Sequence, residues 1–116
     1  MSPKKGDRVT VPPLDGWDVV FGNSDAAIGW EQLCRVALPN TRRCLQALRS
    51  DPRSHAHWGR QHSLRGNLKQ REWNGKPLDQ WEYEVTAGGR VRYLINDATR
   101  TVIVVYASPS HPKDTE

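Results

Sequence analysis

The apolar positions of this chain follow two different periods. Trp17 to Phe21 (WDVVF) is a short, apolar, β-branched run, which predicts a first strand. Gly22-Asn23 breaks it, and Ser24 is a good N-cap with Asp25 in the following turn. Ala27, Trp30, Leu33, Cys34, Ala37 and Leu38 then recur at spacings of three and four, the stripe of an amphipathic helix. Gly29 weakens that helix without breaking it, and Pro39 ends it. Asn40 is placed to cap a second helix, TRRCLQALRS, whose stripe is Cys44, Leu45 and Leu48 and whose stop is Asp51-Pro52. So short a link predicts an antiparallel helical hairpin.

Beyond residue 60 the helical period disappears. Leu64, Leu68 and QREW suggest a strand or irregular ribbon bent at Gly66. Three clearer strands follow: QWEYEV (80–85), RVRYLIN (90–96) and TVIVVYAS (101–108), with a turn at Asn96-Asp97 and a stop at Pro109. The order strand, two helices, meander predicts an α+β fold, with the helices packed on one face of a mainly antiparallel, twisted sheet. Residues 1–16, with Lys4, Lys5, Arg8 and three prolines, read as a basic arm. Residues 17–116 read as a single domain.

The link Thr86-Ala87-Gly88 suits a three-residue hairpin loop with Gly88 left-handed, so that Val85 opposes Gly89. Glu84 then faces Arg90 and Glu82 faces Arg92, all on one side of the sheet. Trp81, Tyr83, Val91 and Tyr93 take the other side, toward the helices. Such opposed Glu and Arg also occur as ordinary cross-strand pairs, contributing about 0.2 to 1 kcal/mol each.

Composition narrows the class. The 116 residues carry 17 Lys and Arg against 13 Asp and Glu, and nine aromatics argue for a packed core. Between Arg42 and Lys76 there are nine basic residues against two acids, the local excess of a phosphate-binding surface or of a solvated basic face. No apolar run approaches the roughly 20 residues of a membrane span, and no signal peptide is evident, so a cytoplasmic protein without membrane contact is expected. Cys34 and Cys44 sit at helical spacing among apolar residues and read as core packing. His55, His57 and His62 are close in sequence, yet no zinc spacing surrounds them, so they read as RNA- or solvent-contacting and no metal is expected. No glycine-rich phosphate loop is present, so no cofactor is expected either. Trp58 and Trp73 flank the basic ribbon as possible base-stacking platforms, although Trp73 reads better as packing at the edge of the core.

Leu64-Arg65-Gly66, the run WEYEVTAGGRVRYLI and the terminal TVIVVYASPSHPK together resemble the RelE/ParE toxins of bacterial type II toxin–antitoxin modules, over residues 17 to 113. The resemblance implies a small toxin that cuts mRNA without a metal, often on the ribosome, and is neutralised by a cognate antitoxin. Arg90 matches the arginine after the central hairpin, implied to contact the scissile phosphate. His111 matches the basic or histidine position after the last strand, an implied acid, with Lys113 as a phosphate contact. Glu82 and Glu84 stand where some members carry lysines, while others use a glutamate as base. Arg65, Lys69, Arg71 and Arg92 complete the expected RNA contacts. Two alternatives accompany this expectation: a ParE-like topoisomerase poison without nuclease activity, and a non-catalytic binding module of the same fold.

Overall fold

A computed structural model describes residues 4–6, 16–54 and 59–110. Strand β1 (Asp18–Phe21) leads into helices α1 (Ser24–Val36) and α2 (Leu38–Ser50). Strands β2 (Gln61–Ser63) and β3 (Gln70–Trp73) follow, separated by a 3-10 turn at Gly66–Leu68. A meander of β4 (Lys76–Glu84), β5 (Arg90–Asn96) and β6 (Thr101–Ser108) closes the chain. The sheet runs β1-β6-β5-β4-β2, with β3 also paired to β4. Only β1 is parallel to its neighbour, setting Asp18 opposite Thr101 and Phe21 opposite Val104. Two helices on a mainly antiparallel six-stranded sheet make the α+β fold that the hydrophobic pattern predicts.

The helix termini differ from expectation by up to three residues. The N-cap of α1 is Asn23, whose Oδ1 accepts from the Ala26 amide at 2.8 Å, while its Nδ2 donates to Val105 O. Asn23 wins over Ser24 because it ties the helix start to β6 as well as capping it. Pro39 does not end α1 but lies in the first turn of α2, where a missing N–H costs nothing. Asn40 is thus inside α2, and its side chain donates to Val85 O at 2.9 Å, linking α2 to the β4–β5 hairpin. Asp51 closes α2 as expected.

Leu33, Cys44 and Leu48 project from the helices onto Trp81, Tyr83, Val91, Tyr93, Val102 and Val104, all buried. Burial pushes the Cys44 thiol well above its ordinary pKa, so it behaves as a core residue, and Cys34 is half-buried. The opposite face of the sheet carries a smaller core of Leu94, Ile103 and Val105, covered by Trp73 and Leu78. Trp73 is therefore packing, as its sequence context suggests. It is delivered by a tight hairpin at Asn74-Gly75, both at positive φ (51° and 83°), the signature of a type I′ turn. That signal was available in the sequence and places a strand before residue 80. Among the described residues no helix is long and apolar enough to cross a membrane.

Gly29 has a steric role. A Cβ there would lie 1.7 Å from the Ala107 carbonyl oxygen, because α1 crosses β6 at backbone contact distance. In an isolated helix Gly→Ala gains about 1 kcal/mol. Here the overlap with backbone outweighs that gain, since forced overpacking costs up to about 3 kcal/mol or more. Gly29→Ala is expected to destabilise the protein by roughly 2 kcal/mol net, measured by urea unfolding.

Candidate functional site

The β4–β5 hairpin pairs Glu84 with Arg90 and Glu82 with Arg92, in the register the alternation predicts. The loop reaches that register by a different turn. Gly88 does not have a positive φ; instead the Val85 and Thr86 amides both donate to Gly89 O, and Thr86 Oγ1 accepts from the Gly89 amide at 2.8 Å. Gly89 is needed for space, because a Cβ would meet Thr86 Oγ1 at 2.8 Å and Leu33 at 3.0 Å.

Glu82 sits at the centre of this face, only 5% exposed. Its Oε2 accepts from Arg92 Nε at 2.9 Å, while Oε1 lies 3.5 Å from His62 Nε2 and 3.6 Å from Arg90 Nε. Burial raises the pKa of this carboxyl, but His62 and Arg92 more than offset it, and the net shift is downward. His62, on β2 directly opposite Glu82, keeps 38% of its side chain exposed. Sequence reading left it among loop histidines; its pairing with Glu82 required the β2–β4 ladder.

Arg90 and Arg92 behave differently. Arg90 is 8% exposed and its Nη1 donates to the Thr86, Ala87 and Gly89 carbonyls, at 2.9, 3.1 and 3.0 Å. It clamps the hairpin from beneath, with Nη2 3.6 Å from Glu84 Oε1. Arg92 lies over the Tyr106 ring, 5.8 Å from its centroid. Tyr106 was not identified from sequence, because strict alternation along β6 would turn it toward the helices. A bulge between Arg92 and Tyr93 leaves Val105 without a partner and shifts Tyr106 opposite Arg92.

The basic belt is divided. Arg53 is held by Asp97 at 2.8 Å and Asp79 at 3.0 Å, and Arg60 donates to Glu84 O at 3.2 Å. Arg65, Lys69 and Arg71 are exposed along the segment from the 3-10 turn to β3. His111 and Lys113 lie outside the described residues, as do His55, His57 and Trp58. His62, Glu82 and Glu84 place one ligand atom each within 4.8 Å of one another, the group among the described residues with donors suited to a metal. Arg90 and Arg92 already neutralise those carboxylates, so the trio is built as an ion-pair cluster.

No protein-family model matches the sequence, and no curated protein matches it. Solved structures do. A chain of the archaeal RelE–RelB complex from Pyrococcus horikoshii superimposes with a TM-score of 0.58 at 14% identity, covering 81% of this chain and 94% of that one. The fold is that of the RelE/ParE toxins. A YoeB/ParE toxin from Agrobacterium tumefaciens gives 0.55 at 18% identity, with 82% and 99% covered. A YoeB–YefM complex from Staphylococcus aureus gives 0.54 at 12%, with 82% and 98% covered. At these identities the likeness is one of backbone architecture. In this chain the Glu82 cluster lies on the sheet face opposite the helices.

A carboxyl with a depressed folded pKa binds fewer protons in the folded than in the unfolded chain. The stabilisation from Glu82 is therefore complete above its ordinary value of 4.5 and is lost as pH falls through the lower folded value. Glu82→Gln takes the carboxylate from buried Arg92 and leaves Arg90 with that of Glu84, 3.6 Å away, and is expected to cost about 3 kcal/mol at neutral pH. The variant should also lose part of the wild-type decline in stability between pH 5 and 3, read from unfolding curves across that range.

Proposed function

We propose that this chain is the toxin of a type II toxin–antitoxin pair, a metal-independent endoribonuclease that cleaves mRNA on the ribosome in the cytoplasm and is neutralised by a cognate antitoxin. The observation that carries the reading is the half-exposed His62 imidazole held against the buried Glu82 carboxylate, beside Arg90 and Arg92. The RelE/ParE fold and the exposed Arg65, Lys69 and Arg71 support it. RelE and YoeB structures solved with RelB and YefM support the antitoxin as partner.

The chemistry needs one proton acceptor, one proton donor and positive charge. The ribose 2′-oxygen attacks the adjacent phosphorus while its proton passes to the base. The bond from phosphorus to the 5′-oxygen breaks, and that oxygen takes a proton from the acid. The products are a 2′,3′-cyclic phosphate and a 5′-hydroxyl. His62 supplies the imidazole that takes the proton of the ribose 2′-hydroxyl. Glu82 fixes the ring and stabilises its protonated form, while its own ion pairs keep it ionised and make it a poor base. Arg90 and Arg92 contribute positive potential to the crowded phosphorane. Arg90 acts by position rather than by a two-point grip, since Nη1 is engaged by its hairpin. His111 is the partner acid, and Lys113 a further phosphate contact.

Expression of the chain alone should arrest bacterial growth, and co-expression of its antitoxin should relieve the arrest. In cleavage of ribosome-bound mRNA mapped by 5′-hydroxyl ends, His62→Ala should lose about 10² to 10⁴ in rate, as should His111→Ala. Full activity in His62→Ala removes the dyad from the mechanism. Growth arrest without RNA cleavage supports the topoisomerase-poison alternative. Binding to an uncleavable RNA should weaken steeply with salt, and reversing the charge at Arg65 and Lys69 should weaken it equally across sequences, because phosphate contacts carry no base information.

A further inference from the structure

Beside the Glu82 cluster, the β3 segment and β6 enclose a separate cleft of about 270 Å³. It lies just below the about 300 to 1,000 Å³ of clefts that take drug-sized ligands, a size suited to one flat ring system. Leu68 and Val105 supply apolar walls, Tyr106 a half-buried ring, and Asn67 and Arg71 polar groups. Among the described residues no carboxylate lines it.

The walls are fixed from within. Gln80 Nε2 donates to Leu68 O at 2.7 Å, and Gln70 Nε2 donates to Asp79 Oδ1 at 3.0 Å. Trp73 packs on Ile103 and Val105, holding β3 above this face of the sheet. By contrast, the Asn67 amide, the Arg71 guanidinium and the Tyr106 hydroxyl make no hydrogen bond or ion pair among the described residues. A pocket with apolar walls, an aromatic ring, a polar rim and positive charge matches a nucleobase, whose faces are apolar and whose edge is polar.

We propose that this cleft seats one base of single-stranded RNA, stacked on Tyr106 and read at its edge by Asn67 and Arg71. The assignment rests on the RNA-cleaving function proposed above. Arg92 joins the two sites, because it lines the cleft while its Nε holds Glu82 Oε2. A strand whose scissile phosphate lies at His62 therefore has a neighbouring base within reach of the cleft. Arg92 also lies over the Tyr106 ring, fixing the platform before RNA arrives.

The test is binding of four uncleavable 2′-O-methyl hexanucleotides, of A, C, G or U, to the full chain at low salt. Tyr106→Leu should weaken all four, by roughly 5- to 150-fold, the range of base–aromatic stacking. Tyr106→Phe should bind like the wild type, since it keeps the ring. Asn67→Ala and Arg71→Ala should selectively weaken the tightest of the four and flatten the base preference. Wild-type affinity in Tyr106→Leu, with RNA still bound and cleaved, overturns the cleft and leaves the nuclease standing. A wild type that binds none of the four yet cleaves ribosome-bound mRNA overturns the cleft alone, and one that neither binds nor cleaves overturns both.

Discussion

A carboxylate buried on a sheet face is tolerable only where cations come to it, and Glu82 organises this molecule through that requirement. Three elements answer it: β5 with Arg90 and Arg92, β2 with His62, and the hairpin loop whose carbonyls hold Arg90 in place. A slip of one residue between β4 and β5 would turn Glu82 into the apolar core and the cations away from it. The cluster thus fixes the register of the central ladder. The same ladder holds Trp81, Tyr83, Val91 and Tyr93 against the helices, so charge pairing on one face and apolar packing on the other enforce one alignment.

The sheet is packed on both sides, and the second side is assembled from short irregular pieces. The Asn74-Gly75 turn folds β3 back along β4 and brings Trp73 over Ile103 and Val105. Gly22 belongs to the same packing, since a Cβ there would meet Ile103 at 2.8 Å and Trp73 at 2.9 Å. This cover occupies one end of the face, and at the other end His62 keeps 38% of its side chain exposed beside the buried Glu82 and Arg92. Closure on one side and access on the other give the candidate site a rigid floor, which positions reacting groups better than a flexible loop would.

Arg90 and Arg92 show how two like residues on one strand acquire different work. Alternation puts both on the same face, yet the loop closes over Arg90 while Tyr106 meets Arg92. One becomes part of the hairpin, the other a link between a carboxylate and an aromatic ring.

By itself the sequence determined the helical hairpin, the meander, the two faces of β4 and β5 and the opposition of Glu82 to Arg92 and of Glu84 to Arg90. These follow from local period and turn chemistry, which a single chain segment carries within itself. The resemblance of its motifs to the RelE/ParE toxins pointed to the architecture that the solved structures share. The termini of the helices lay within three residues of expectation, because Asn23 and Asn40 are placed by distant carbonyls on Val105 and Val85. The tertiary structure alone decided that His62 meets Glu82, since β2 is three residues long and is defined by its partner rather than by its own pattern. It alone decided the place of Tyr106, because a single bulge reverses the parity of β6 and no periodicity records a bulge. It also decided why position 29 is glycine, a matter of how closely α1 crosses the Ala107 carbonyl. Contacts between segments far apart in the chain depend on the packed geometry of both, and that geometry exists only once the sheet has formed.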